Sequence, residues 1–214
     1  MSTELQVRKQ IIATALQMNA LRINHGKSGN VSARWKSGLL ITPSGLPYAD
    51  TRPADIVFID AHGRSKDKRE SSSEWRFHFD IYRATSEVQA VVHTHASFAT
   101  TLACMGKSVP AFHYMVAVAG GKDIRCAPYA TFGTQRLSDY AVAALKNRKA
   151  CLLANHGMIA TGNSLKSALA LAVEVEALCE QYWRVLQIGK PKLLPDAEMA
   201  VVLAKFKTYG VANR

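Results

Sequence analysis

Apolar residues recur at three- and four-residue intervals over residues 5–22, where Ile11, Ile12, Ala15 and Leu16 mark one face of a helix, with Asn24-His25-Gly26 as its stop. The rhythm then changes to short apolar runs. Val31 to Trp35, Leu39 to Thr42 and Ile56 to Asp60 read as strands, punctuated by Gly38, Pro43-Ser44-Gly45 and His62-Gly63. After a charged loop over 67–70, Ser72 or Ser73 caps a helix whose apolar face is Trp75, Phe79 and Tyr82. A strand ending at His95 follows, then a helix over Phe98 to Met105. Ala111 to Ala119 and Ile124 to Tyr129 read as strands around Gly120-Gly121. A helix near 134–147 turns Leu137, Tyr140, Ala144 and Leu145 inward, and residues 150–161 form two strands hinged at Asn155-His156-Gly157. A long helix starts at Ser164 with Leu165, Leu169, Ala172, Cys179 and Tyr182 inward. After Pro191 and Pro195, Asp196 caps a last helix carrying Met199, Val202, Leu203 and Phe206. Strict strand–helix alternation is absent. The expected fold is α/β: a three-layer αβα arrangement with a central, largely antiparallel sheet and helices on both faces.

With 214 residues, 48% of them hydrophobic, the chain can bury one sizeable core, and one domain over residues 1–214 is expected. No apolar run reaches membrane-spanning length, and Met1 to Gln6 has no basic, then apolar, leader pattern. Cys104, Cys126, Cys151 and Cys179 are scattered, with no Cys-x-x-Cys, and read as reduced packing residues of a cytoplasmic protein. The formal charge of +11 is spread along the chain without a concentrated basic patch. That argues against nucleic acid as a partner and suits an enzyme with anionic substrates.

The chemistry concentrates at two strand ends. Ala90-Val91-Val92-His93-Thr94-His95 closes an apolar run, and in a strand residues two apart share a face, so His93 and His95 project together while Thr94 points away. Cys151-Leu152-Leu153-Ala154-Asn155-His156 ends a second apolar run. Three imidazoles meeting there would form the ligand set of a catalytic zinc. His25, His62, His78 and His113 lack such a setting and read as surface or satisfied core.

Three small turns carry donors suited to a phosphate: Gly29-Asn30, Ser44-Gly45 and Ser72-Ser73. The last opens a helix, whose N-terminus attracts anions. Glu74 follows in that first turn. It can complement the helix dipole, ligate the metal or move a proton.

Together these residues resemble the class II aldolase/adducin family, most nearly its bacterial L-fuculose-phosphate aldolase branch. The resemblance spans nearly the whole chain. It is carried by Gly29-Asn30-Val31-Ser32, Leu40 to Gly45, Ser72 to His78, Ala90 to His95, Phe112 to Met115, Cys126 to Thr134, His156-Gly157 and Lys205 to Gly210. It implies one zinc ion on His93, His95 and His156, with Glu74 as a ligand that leaves to become the acid/base. It implies a phosphate held by Gly29, Asn30, Ser44, Gly45, Ser72 and Ser73. Tyr114 would serve a neighbouring subunit's site as proton donor or acceptor, and Phe132, Phe206 and Tyr209 would position the aldehyde. The implied assembly is a homo-oligomer, a cyclic tetramer.

The implied activity is zinc-dependent cleavage of a ketose 1-phosphate, L-fuculose 1-phosphate or a similar deoxy-sugar phosphate, to dihydroxyacetone phosphate and a short aldehyde. Pentulose-phosphate 4-epimerases of the family carry aspartate where this chain has Glu74. Its sugar-acid phosphate decarboxylases carry lysine where this chain has Ser73. Adducin heads have lost the metal histidines, all kept here. The chain departs from the family at Thr94, at Ala154-Asn155, over Ser97 to Met105 and in its tail, Val211 to Arg214.

Overall fold

The computed structural model describes residues 2–208. Helix α1 (Glu4–Ala20) begins at a capping box in which the Thr3 hydroxyl and the Gln6 side chain satisfy each other's backbone amides. It ends earlier than the Asn24-His25-Gly26 signal suggests. Arg22 takes the left-handed conformation at φ 59°, and the Ile23 amide closes on Met18 O. Asn24 is thereby buried rather than spent as a cap, and its Nδ2 donates to Asn19 Oδ1.

Seven strands follow in one sheet: β1 (Asn30–Trp35), β2 (Gly38–Ile41), β3 (Val57–Ile59), β4 (Ala90–Thr94), β5 (Arg125–Ala127), β6 (Ala150–Leu153) and β7 (Gly157–Gly162). Their order is β3-β2-β1-β4-β7-β6-β5, and every pairing is antiparallel except β5 with β6. The helices between and after them are α2 (Trp75–Ala84), α3 (Ser97–Cys104), α4 (Gln135–Leu145), α5 (Leu165–Ile188) and α6 (Asp196–Thr208). None of the described helices is long and apolar enough to cross a membrane.

Strand alternation divides the core in two. Leu39, Ile41, Val91, Cys151, Leu153 and Ile159 pack under Phe77, Ile81, Leu137 and Ala141 of α2 and α4. Val31, Leu40, Val92, Leu152, Met158 and Ala160 pack under Ile11, Leu102, Ala172 and Leu178 of α1, α3 and α5. Each such fully buried large side chain contributes about 1.5–3 kcal/mol of transfer free energy. The expected three layers are therefore present, with β4 in the middle of the sheet and buried along its whole length.

Three local expectations are corrected. The inward face of α2 is Phe77, His78, Ile81 and Tyr82, whereas Trp75 and Phe79 are only partly buried and meet edge to face at 5.8 Å. Trp75 and Phe79 lie over the Gly63 turn instead, so their rings cover a loop at the edge of the layer. The apolar run Ala111 to Ala119 is no strand. It holds a 3₁₀ turn, Tyr114–Ala119, closed by Gly120 at φ 87°, and docks against α5 and α6. Among the four cysteines, all free, Cys151 and Cys179 are buried as expected, but Cys104 lies on the exposed side of α3 and Cys126 is half-buried.

Helix α3 has no side-chain cap of its own at Ala96. Glu176 of α5 supplies it: its two carboxylate oxygens accept from the Phe98 and Ala99 amides at 2.8 Å each. Burial raises the Glu176 pKa, and the amides oppose that rise. Because β4 runs into α3 through His95 and Ala96, this cap also fixes the chain segment that carries His95.

Candidate active site

His93 and His95 leave the end of β4 on one face, and Thr94 leaves on the other, where its hydroxyl donates to Ile23 O. The third histidine arrives from the β6–β7 hairpin. Leu153 pairs with Gly157, so Ala154, Asn155 and His156 form the turn, with Asn155 left-handed at φ 55°. The Ala154 amide donates to Ala127 O and the Asn155 amide to Ala103 O, which ties the turn to β5 and α3. Gly157 is required by close approach: a Cβ there would lie 2.6 Å from Thr94 O and 3.0 Å from the His95 ring. Gly29 is equally confined, since its Cβ would lie 2.5 Å from His93 O.

The three rings stand nearly perpendicular to one another, with centroids 4.8–5.0 Å apart. Glu74 completes the cluster from the N-cap of α2. It makes no cap bond, and its carboxylate instead turns into the sheet end, 5% exposed. Glu74 Oε2 lies 3.1 Å from His93 Nε2, and Oε1 lies 3.0 Å from His156 Nε2. His93 Nε2 and His95 Nε2 are 3.0 Å apart. Ligand atoms of all four residues lie within 4.8 Å of one another.

These atoms fit a cation. His93 Nδ1 must donate to Met158 O at 2.9 Å, because a carbonyl only accepts, and this leaves Nε2, which faces Glu74 and His95, as the ring's ligand atom. Lone pairs and a carboxylate converging on one point repel unless a positive charge sits among them. Glu74 Oε1 is also buried without a well-formed hydrogen bond. Four ligands around tetrahedral zinc at about 2.0–2.1 Å would stand about 3.4 Å apart, close to the spacings seen. Burial, with the His93 and His156 rings nearby, lowers the His95 pKa to about 4, so its ring is a neutral donor at neutral pH. Burial alone would raise the Glu74 pKa, but the His93 and His156 imidazoles hold it well below the usual carboxylate range.

The expected phosphate turns are gathered beside this cluster. Asn30 sits opposite His93 in the β1–β4 register, and Pro43 bridges Ser71. The Ser44 amide donates to Glu70 O, the Ser72 amide to Thr42 O, and Lys27 Nζ to Gly45 O at 2.7 Å. Two of the amides expected to face an anion are thus spent in joining the turns, while Ser44, Gly45 and Ser73 remain exposed. Asn30 spends its amide on Glu74, with Nδ2 donating to Oε2 at 2.9 Å.

The remaining expected residues are less concentrated. Phe132 is 65% exposed, on a loop whose Gly133 O accepts from Arg76 Nε, in the first turn of α2. Tyr114 is 51% exposed and stacks near Phe206, 6.5 Å between centroids, and not on the histidine cluster. Tyr209 lies outside the described residues. Of the other histidines, His25 and His62 are exposed, and half-buried His113 accepts from the Met115 amide. His78 is fully buried and hydrogen-bonded at both ring nitrogens.

Residues 9–183 match the family model described as Class II Aldolase and Adducin N-terminal domain. The chain belongs to the class II aldolase/adducin family. It is 60% identical over 208 residues to the 5-methylthioribulose-1-phosphate/5-deoxyribulose-1-phosphate aldolase of Rhodospirillum rubrum, covering 97% of this chain and 94% of that one. It is 50% identical over 207 residues to the L-fuculose phosphate aldolase of Escherichia coli K12, with 96% of each chain covered. A solved L-fuculose 1-phosphate aldolase superposes with a TM-score of 0.92 at 38% identity, over 97% of this chain and 98% of that chain. The class II aldolase fold is thus present over nearly the whole chain, and this class II aldolase is a lyase of that family, with a candidate metal-binding group at Glu74, His93, His95 and His156.

Proposed function

We propose that this class II aldolase cleaves a ketose 1-phosphate to dihydroxyacetone phosphate and a short aldehyde, and that residues 1–214 act as one catalytic domain. The observation that carries the reading is the convergence of Glu74, His93, His95 and His156 beside three phosphate-compatible turns. Three imidazoles and a carboxylate favour zinc. A divalent ion there supplies Lewis-acid stabilisation of the charge that develops on the ketone oxygen.

The protein's own groups do the rest. Ser44, Gly45, Ser72 and Ser73, with Gly29 and Asn30, grip the phosphate end, so that the ketone lies against the histidines. Tyr114 takes the proton from the hydroxyl of the carbon that becomes the aldehyde. Its exposure, and its ring's place beside Phe206, support delivery across a contact between copies, in a cyclic homotetramer. Glu74, after taking up a proton, gives it to the carbon left behind by C–C cleavage, and the carboxylate that results is the base of the reverse reaction; exchange with solvent returns Glu74 and Tyr114 to their starting protonation states. Phe132, Phe206 and Tyr209 line the aldehyde's path.

Among ketose phosphates, the higher identity to the methylthioribulose/deoxyribulose phosphate aldolase favours 5-deoxy- and 5-methylthio-pentulose 1-phosphates over L-fuculose 1-phosphate. Cleavage of a 5-deoxypentulose gives an aldehyde with no hydroxyl, which suits an aromatic pocket.

The test is a panel run in both directions. The two pentulose phosphates should be cleaved with higher kcat/KM than L-fuculose 1-phosphate, within the 10–200-fold or so that an apolar pocket can impose. In synthesis, dihydroxyacetone phosphate should outrun dihydroxyacetone by about 10³-fold or more, because a site built for phosphate leaves donors unpaired without it. Comparable rates with and without phosphate would remove the anion site, and preferential cleavage of fuculose phosphate would remove the substrate assignment.

A further inference from the structure

A chain of buried side chains leads away from Glu74, and the donors and acceptors in it can be ordered in only one way. The Glu74 carboxylate accepts from Asn30 Nδ2 at 2.9 Å. Asn30 Oδ1 then faces His78 Nε2 at 2.5 Å and, being a carbonyl oxygen, must accept. His78 is completely buried, and that burial, with the His93 ring nearby, lowers its pKa to about 3, so the ring is neutral. A neutral ring that donates from Nε2 accepts at Nδ1, and there Ser32 Oγ approaches at 2.7 Å and donates. The Ser32 oxygen is left to accept from the Tyr82 hydroxyl at 2.8 Å. Asn30, Ser32, His78 and Tyr82 are each no more than 4% exposed, so water does not compete for these groups.

We infer that His78 is a positioning residue: it fixes the Asn30 amide with its NH₂ toward Glu74, and so holds the carboxylate in the orientation from which it meets the substrate. The reversed amide would press Asn30 Oδ1 against the carboxylate, a like-with-like contact in a dry interior, and would force His78 into the Nδ1–H tautomer, so the tautomer of His78 and the direction of the amide are locked together. Every O–H and N–H of the chain points toward Glu74. Their dipoles add, stabilise its anion and resist rotation of the side chain. The ring also stacks on Phe77, 4.7 Å between centroids, and Phe77 meets His93 edge to face at 5.3 Å, so His78 is braced against the metal strand as well. The inference rests on the role proposed for Glu74.

The first test needs no substitution and no substrate. Long-range ¹H–¹⁵N spectra of the metal-free, ¹⁵N-labelled protein at neutral pH should show His78 protonated at Nε2 and bare at Nδ1. A proton on Nδ1 would overturn the ordering and with it the proposal. The second test compares two replacements. His78→Leu should lower kcat, and solvent exchange of the dihydroxyacetone phosphate C–H proton, by about 10–100-fold, with KM changed less than about threefold. His78→Gln, whose amide nitrogen can take the Nε2 position, should recover most of that loss. A folded His78→Leu protein with wild-type kcat, or equal losses for Leu and Gln, would refute the positioning role. If His78→Leu does not fold, the tautomer still decides. Failure of the Glu74 role would show separately, as undiminished exchange in Glu74→Gln.

Discussion

Glu74→Gln is expected to slow solvent exchange of the C–H proton of dihydroxyacetone phosphate by about 10²–10⁴-fold, the usual contribution of a positioned acid/base. Glutamine keeps the shape of the side chain and can still accept from Asn30 Nδ2, so neither the fold nor the Asn30 contact should be lost. It cannot cycle a proton near neutral pH. Three imidazole donors remain, so metal content should fall far less than the exchange rate. The exchange assay isolates the step given to Glu74, because it needs no aldehyde and no Tyr114. Exchange at the wild-type rate would mean that another group is the base.

His95→Ala is expected to empty the metal site and to cost at least about 10³ in turnover, equivalent to the several kcal/mol of charge stabilisation that a Lewis acid supplies. The structural cost should be small. His95 is only partly buried, and the bond at this residue that joins distant parts of the chain, from its backbone amide to Asn24 Oδ1 at 3.4 Å, does not involve the ring. Metal analysis of the purified variant and its thermal midpoint should therefore separate: metal lost, fold kept. His62→Ala, at an exposed loop position remote in role from the cluster, should change neither. Full metal occupancy in His95→Ala would contradict the ligand set.

The strand that carries His93 and His95 was legible because it rests on one rule. Alternation put His93 and His95 on one side and Thr94 on the other, and the packing of Val91 and Val92 into opposite layers follows the same parity. The third histidine was legible from the apolar run before it. Other features depend on contacts distant in sequence. The run Ala111 to Ala119 is apolar enough for a strand, but it gains its burial by docking on α5 and α6 and has no strand beside it to share a ladder. Of the aromatic spacing Trp75, Phe79 and Tyr82, only Tyr82 is fully inward, because Trp75 and Phe79 cover the Gly63 turn while Phe77 and Ile81 fill the layer. His78 carried no local signal. Its partners Asn30 and Ser32 lie 48 and 46 residues away, brought to it only when α2 lies over β1. Glu176 is similar: its helix reads as ordinary amphipathic sequence, and its role as the cap of α3 exists only in the packed structure.

The central claim is that a metal held by Glu74, His93, His95 and His156 lets this chain break the C–C bond of a ketose 1-phosphate. Its most direct test is a chelation and reconstitution experiment on 5-deoxyribulose 1-phosphate, with dihydroxyacetone phosphate and aldehyde measured together. The metal-free protein should release neither, and one equivalent of zinc per chain should restore both in equal amounts. Equal release from protein shown to be free of metal, or sugar consumed without the two products appearing one for one, would contradict it.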